Sequence, residues 1–327
     1  MDKRVSIITP CYNGASCIPR LLDSILAQTY PNIEMLVVDD GSTDRSAEII
    51  RSYIPAFETK GYSLAYLYQE NSGQSVAINK GLKWMKGDYL VWPDSDDYYA
   101  AEDAIEKMVA VLDTSDDTVS MVRCQSILVD EIKLEETGRF GVIPETEGKV
   151  DLFEDCLLGL HGFWYPPGEY MAKISKIDEL IPSREIYTEK DAGQNWQLYL
   201  PLLYQNKCLT IKSYLYHVLV RENSHSRGQY SGQEQILRKY ATYRKTLLET
   251  LDRMTNMPDV EKDHYKRQVM LKYDLIRFNY LLKFKRFGEA RTLLREYPGN
   301  NFRLLCKYYL YRFPFTGNIM DKRNRKK

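Results

Sequence analysis

No stretch of this 327-residue sequence approaches the run of about 18 apolar residues that a membrane-spanning helix needs. The apolar run nearest the N-terminus, in MDKRVSIITPCYN, is cut by Pro10 after about five residues, which is too short for the core of a signal peptide. The six cysteines (Cys11, Cys17, Cys124, Cys156, Cys208, Cys306) contain no C-x-x-C pair. This argues against a zinc ribbon, a redox motif or a disulfide framework, and makes a reducing, cytoplasmic setting the expectation. Internal repeats and low-complexity linkers are also lacking. There is no formal net charge, yet residues 228–327 carry 23 Lys/Arg against 10 Asp/Glu, and residues 1–227 carry 22 against 35. A split of about +13 and −13 implies a C-terminal region that meets an anionic surface, or else a solvated helical face.

What is present is a soluble, foldable composition, 44% hydrophobic and 28% charged, with an unusual 26 tyrosines. VSIITP (5–10) and IEMLVVDD (33–40) are strand-like runs, and Ile18, Leu21, Leu22, Ile25 and Leu26 between them keep helical spacing. The alternation continues with a helix over about 43–53, a strand at 64–69, a helix over about 74–85 and a strand at 88–92. Alternating elements of this kind predict a parallel sheet with helices on its faces, and ligands bind such sheets at the carboxyl ends of the strands. Beyond residue 119 the pattern loosens: strands are expected at 120–130, 170–177 and 208–220, and helices at 150–159 and 193–205. After Gly232 long amphipathic helices run to about Tyr297, followed by a last segment at 302–313 and a basic tail.

Polar clusters fall at the strand ends, so four loops converge on one rim. Thr9, Pro10, Tyr12 and Asn13 follow the first strand, Asp39 to Asp44 the second, Asn71 to Gln74 the third, and Asp94 to Asp97 the fourth. The last cluster, DSDD, holds three carboxylates in four positions. It offers hard oxygen ligands for Mg²⁺ or Mn²⁺, which take their remaining ligands from water and substrate phosphates. The plainer reading is an Asp-rich turn that caps a helix beginning near Ala100. In DDGSTD, residues Ser42, Thr43 or Asp44 suit a helix cap. Asp39 is still on the strand, and a buried carboxylate there is costly unless it meets a donor such as the N3–H of a uracil.

TPCYN, QTYPNIEMLVVDDGSTD, ENSGQSVAINKGL and GDYLVWPDSDDYY, in this order and spacing over about 4–112, resemble the family 2 glycosyltransferases with the nucleotide-sugar-binding GT-A fold. The resemblance implies an α/β fold: a GT-A type sheet with flanking helices over 1–227, plus a mostly helical, basic region over 228–327. It also implies an inverting enzyme that uses a nucleoside diphosphate sugar and Mn²⁺ or Mg²⁺. Carried over, Thr9 and Asp39 contact the base, Asp94 the ribose or donor sugar, and Asp96 the metal together with Asp94. Asp97 becomes a supporting or sugar contact. Pro10, Tyr12, Asp40, Asn71, Gly73, Asn79 and Ser95 belong to the same motifs and join the expected donor-binding set. Arg221 and His225, in VRENSHSR, are expected at the diphosphate and the metal, against a purely structural histidine.

One motif departs from the family. An acidic pair is expected at the start of a helix about a hundred residues after the metal motif, with its Asp as base, but here the matching stretch is GQNWQL. Gln194 and Asn195 cannot accept the acceptor's proton in the way a carboxylate does. Asp191 is the first candidate base, ahead of Glu189, with Gln194 and Asn195 as acceptor-orienting groups. Trp164 and Tyr165 are weighed as a stacking surface for an acceptor sugar, against ordinary core aromatics.

The resulting expectation is sugar transfer, from a UDP-sugar first of all, to a hydroxyl of a glycan or lipid-linked acceptor in cell-surface polysaccharide synthesis. The basic helices would rest on anionic lipid at the inner face of the plasma membrane. No nucleic-acid recognition module accompanies the basic region. A sugar nucleotidyltransferase should show a Gly-rich loop after its first strand, which TPCYNGAS lacks, and a haloacid-dehalogenase-like phosphatase should not have Tyr98 and Tyr99 after its acidic pair. A noncatalytic nucleotide-sugar-binding protein is favoured by Gln194 and Asn195 alone.

Overall fold

The computed structural model describes residues 2–220, 232–297 and 301–312. Its first half alternates as the pattern predicts: β1 (Val5–Cys11), α1 (Ile18–Leu26), β2 (Ile33–Asp40), α2 (Ser46–Ser52), α3 (Ile54–Lys60), β3 (Ser63–Gln69), α4 (Gln74–Trp84) and β4 (Tyr89–Val91). Strands β1 and β2 are buried along their whole length, which is why they read as unbroken apolar runs rather than alternating ones. The helix expected over 43–53 is α2, and a second helix, α3, follows it directly after Tyr53. Pro55 opens the second helix at a position where its missing N–H costs nothing, and Gly61, at φ +86°, closes it.

The second half contains β5 (Tyr98–Tyr99), α5 (Ala104–Asp113), β6 (Val119–Asp130), β7 (Glu136–Phe140), α6 (Phe153–Leu158), β8 (Tyr170–Lys173), α7 (Ile174–Leu180), α8 (Asn195–Leu203) and β9 (Lys207–Val220). The strand expected over 170–177 ends at Lys173, and Ile174–Leu180 turns into a helix that buries Ile174 and Ile177. Four helices follow: α9 (Gln233–Arg253), α10 (Asp259–Lys283), α11 (Phe287–Glu296) and α12 (Phe302–Arg312).

The sheet order is β3-β2-β1-β4-β8-β6-β9-β5, with β7 on the edge of β6. The β3-β2-β1-β4 half is parallel, as expected. From β8 onward the sheet is mixed, because β8 runs antiparallel to both β4 and β6 while β9 runs parallel to β6. Side chains alternate between faces, so each face has its own core. Val5, Ile7, Met35 and Val37 pack with Ile18, Leu22, Phe57 and Met108 of α1, α3 and α5. Ile8, Leu90 and Trp92 pack with Ile78, Leu82, Leu198 and Leu203 of α4 and α8.

That second core also contains Leu247, Leu251, Val269 and Tyr273. Helices α9 and α10 are therefore a layer on the sheet domain, and the boundary expected near residue 227 does not separate two cores. Only the far ends of these helices, with α11 and α12, form a satellite cluster of Phe278, Leu281, Leu282, Ala290, Leu294 and Tyr308. No described helix is long and apolar enough to cross a membrane.

Candidate active site

The loops after β1 and β2 are stitched to one another by side-chain caps. Asn13, at φ +49°, donates its N–H to Ser42 Oγ (2.9 Å), and its Oδ1 accepts the Thr43 N–H (2.8 Å). Ser46 Oγ accepts from Gly14 N–H (2.9 Å), and Asp44 accepts from the N–H groups of Ala15 and Ser46, both at 3.0 Å. Burial works against charge on Asp44, but the Ser46 hydroxyl and these amides outweigh it and hold its pKa below the usual range. Behind this seam Asp39 is buried, with Oδ1 accepting from Ser42 N–H (2.8 Å) and Oδ2 from the Tyr66 hydroxyl (2.7 Å). The Arg51 guanidinium lies over the Tyr66 ring at 4.4 Å. A carboxylate oxygen has two lone pairs, so Asp39 keeps capacity for a further donor.

Asp40 faces the next loop. Its Oδ1 accepts from Gln69 Nε2 and Ser72 N–H, both at 2.7 Å, and its Oδ2 accepts from Gly73 N–H at 2.9 Å. Asn71 packs under Gly41, whose φ is +79°.

The DSDD stretch is not a helix cap. β5 intervenes, and α5 starts only at Ala104 with Asp103 at its N-cap. Carboxylate oxygens of Asp94, Asp96 and Asp97 all lie within 4.8 Å of one another. Asp97 is buried and accepts the Leu219 N–H at 2.8 Å. Burial, and then the nearby charge of Asp94, push its pKa well above the ordinary value. Asp94 and Asp96 are half-buried. Hard oxygens this close together fit Mg²⁺ or Mn²⁺, with Asp94 and Asp96 as the holding residues.

Of the amide pair, Gln194 reaches the cluster. Gln194 Nε2 donates to Asp94 Oδ1 at 3.0 Å, and Asn195 Nδ2 donates to the Tyr165 carbonyl at 3.0 Å. The segment leading to them is pinned from two sides. Asn79 donates to the Ile186 carbonyl (3.1 Å) and accepts the Ile186 N–H (2.8 Å), while Gly73, at φ +97°, is packed against Lys190 backbone. From α9, Lys245 pairs with Glu189 (3.1 Å) and Arg238 with Asp191 (2.8 Å).

Residues 6–164 match the model of Glycosyl transferase family 2. They form a family 2 glycosyltransferase domain. An uncharacterized glycosyltransferase of Rickettsia typhi is 42% identical over 127 residues, which is 39% of this chain and 37% of that protein. The match thus spans about a third of the length of such curated relatives. Among solved structures, Staphylococcus aureus TarS 1-349 in complex with UDP-GlcNAc aligns over 90% of this chain and 82% of that one, at TM-score 0.60 and 19% identity. The mannosyltransferase PcManGT of Pyrobaculum calidifontis, in complex with GDP-Man and Mn²⁺, aligns over 95% and 83%, at TM-score 0.56 and 20% identity. The sheet and its flanking helices have the GT-A architecture of these structures.

Around this family 2 domain the expected site residues divide. Asp94, Asp96 and Asp97 come together, with Ser95 against Gly14, while Asp39 is buried at the end of β2 and Tyr12 is exposed. Thr9 and Pro10 are buried. Asn79 was expected to touch the donor, but both ends of its amide are taken by Ile186, and Asp40 is likewise engaged in shaping the 69–73 loop. Asp191, the expected base, has its carboxylate bound by Arg238 of α9. Glu189 is held below the usual carboxylate range: burial opposes this, but Tyr187 and Lys245 prevail.

Trp164 is not an open stacking surface. It is buried with the Arg123 guanidinium 3.8 Å from its ring, and the Tyr165 hydroxyl donates to the Cys156 carbonyl. Arg221 and His225 lie outside the described residues. Tyr66 and Glu169 escaped sequence reasoning. Glu169 is fully buried, with burial lifting its pKa well above the usual value, and no spacing in GFWYPPGEY marks it.

Proposed function

We propose that this chain is an inverting, metal-dependent glycosyltransferase that moves a sugar from a nucleoside diphosphate sugar, a UDP-sugar first among them, to a hydroxyl of a glycan or lipid-linked acceptor. Cell-surface polysaccharide synthesis is the corresponding setting. The observation that carries this reading is the clustering of Asp94, Asp96 and Asp97 within 4.8 Å at the same rim as Asp39. Within the reading, Asp39 accepts a base N–H, held for that purpose by Ser42 and Tyr66. A cation held by Asp94 and Asp96 supplies positive charge to a departing diphosphate. The UDP-GlcNAc of the TarS complex and the GDP-Man and Mn²⁺ of the PcManGT complex support the ligand class on a shared fold.

A second reading, noncatalytic nucleotide-sugar binding, draws on Gln194 and Asn195 and on the cation pairing of Asp191 and Glu189. A thermal-shift and mass-spectrometry screen of UDP-, GDP- and dTDP-sugars with Mn²⁺ tests both. Stabilisation by a UDP-sugar with release of free sugar or product supports the transferase. Stabilisation without turnover on any acceptor supports the binding protein, and no stabilisation by any donor contradicts both.

Peripheral attachment at the inner membrane face belongs to the same proposal. Helix α12 exposes Phe302, Leu305 and Tyr309 at i, i+3 and i+7, with exposed Arg303 and Arg312 on the same short helix. An exposed apolar stripe flanked by arginines suits an anionic lipid surface.

A further inference from the structure

We infer that Gln194 is a specificity-determining residue that binds a hydroxyl of the donor's sugar through its side-chain carbonyl while its amide nitrogen holds Asp94. The inference rests on the nucleotide-sugar reading above. Gln194 is only 1% exposed, and its Nε2 donates to Asp94 Oδ1 at 3.0 Å, a pairing that a carboxylate partner requires to be made by the NH₂ end. The carbonyl Oε1 belongs to the same planar amide, so it too lies beside the acidic cluster. It is buried and has no hydrogen-bond partner among the described residues.

Buried polar atoms are matched in nearly all folded proteins, and a lone buried acceptor calls for a donor. If the only task at this position were to donate to Asp94, a purely donating side chain would leave no acceptor behind. Glutamine brings one with it. The next residue repeats the arrangement: Asn195 donates to Tyr165 while its buried Oδ1 has no partner among the described residues.

The chemistry of the partner follows from what the site presents. The unpartnered Gln194 carbonyl is an acceptor, so beside the cation proposed for Asp94 and Asp96 the ligand must bring it a hydrogen-bond donor. A sugar hydroxyl does so without adding charge, and it can bond a carboxylate oxygen and an amide oxygen at once. A carboxylate at position 194 would keep an oxygen acceptor but lose the N–H donor that holds Asp94. The amide is what allows this position to touch both Asp94 and the sugar.

The test compares equilibrium binding of UDP with that of UDP-glucose, UDP-galactose and UDP-GlcNAc to the full chain in Mn²⁺, taking whichever sugar nucleotide binds best. For the wild type, affinity for this UDP-sugar exceeds affinity for UDP. Gln194→Met keeps the side chain's length and removes its acceptor together with the Nε2 donor to Asp94, a donor that Gln194→Glu also lacks. The Met variant should lower UDP-sugar affinity roughly three- to tenfold and leave UDP within about twofold, the effect of one hydrogen bond. Gln194→Glu retains an oxygen acceptor and should keep more of the sugar-dependent gain than Met does, which provides a readout if the Met variant fails to melt cooperatively.

Equal losses for UDP and UDP-sugar overturn the inference and leave Gln194 as a support for Asp94 only. So does equal loss of the sugar-dependent gain in the Met and Glu variants, or a wild type that gains nothing from the sugar. Failure of the wild type to bind any of the nucleotides overturns the nucleotide-sugar reading itself, a result that the variants do not enter.

Discussion

Replacing Gly73 with alanine should loosen the rim without removing any of its carboxylates. Gly73 sits at φ +97° and ψ +159°, a region that is essentially glycine-only and costs another residue about 1–3 kcal/mol. An added Cβ would stand 2.7 Å from the Lys190 carbonyl oxygen and 3.2 and 3.3 Å from its Cα and carbonyl carbon. All three are backbone atoms, so no side chain can turn aside. Retreat on the Gly73 side stretches the bond from its N–H to Asp40, and hydrogen bonds to charged groups are worth about 1.5–3 kcal/mol. Retreat on the Lys190 side shifts the segment that carries Gln194 towards Asp94. The combined expectation is about 2–5 kcal/mol of stability lost, together with weaker UDP-sugar binding. Gly61→Ala is the control. Its φ is +86° but nothing lies within 4 Å of an added Cβ, so only the left-handed backbone penalty of about 1–2 kcal/mol applies. Urea denaturation of both variants measures the difference, and UDP-sugar titration reads the site. Equal destabilisation of the two variants, with wild-type affinity in Gly73→Ala, would refute the reasoning.

Asp44→Ala should cost about 1–2 kcal/mol at neutral pH by leaving Ala15 and Ser46 without their acceptor. Because the folded state depresses the pKa of Asp44, its stabilisation is complete above the ordinary value near 4 and is lost as pH falls through the lower folded value. The gap between variant and wild type should therefore narrow in acid melts, and a constant gap from pH 7 to below 3 contradicts this. Asn79→Ala should lower stability by about 1–3 kcal/mol, since both of its bonds span from α4 to Ile186. A direct donor contact would instead show as lost UDP affinity with unchanged melting. Phe302→Asp combined with Leu305→Asp should abolish flotation with phosphatidylglycerol vesicles and leave urea unfolding within about 0.5 kcal/mol, as exposed substitutions usually do. Undiminished flotation rejects α12 as the lipid-facing element.

The parallel half of the sheet was legible because burial on both faces writes itself as unbroken runs, as in VSIITP and IEMLVVDD. The rim was legible because parallel strands place their polar loops at one end. The mixed half was harder to read: β8 is only four residues long, and ISKIDEL after it has spacing that fits a strand continuation until Ile174 and Ile177 are seen to share a helical face. Roles within motifs were less visible than the motifs themselves. Asp39 and Asp40 are neighbours in sequence, yet one bonds Tyr66 and the other the 69–73 loop, because successive strand side chains point to opposite faces. The partners of Asp191 and Glu189 come from α9, about fifty residues along the chain, and no local pattern announces them. The same is true of the shared core. Leu247 and Leu251 mark an amphipathic helix, but sequence does not say that the sheet is what they cover.

The most direct test of the central claim is sugar release or transfer from the donor that stabilises the wild type best, measured with Mn²⁺, with EDTA and in Asp96→Ala. If Asp94 and Asp96 hold the metal at a donor site, turnover requires the cation and falls by at least about a hundredfold in Asp96→Ala, the scale of losing an electrostatic stabiliser of the transition state. Turnover that is indifferent to EDTA and intact in Asp96→Ala would contradict the account.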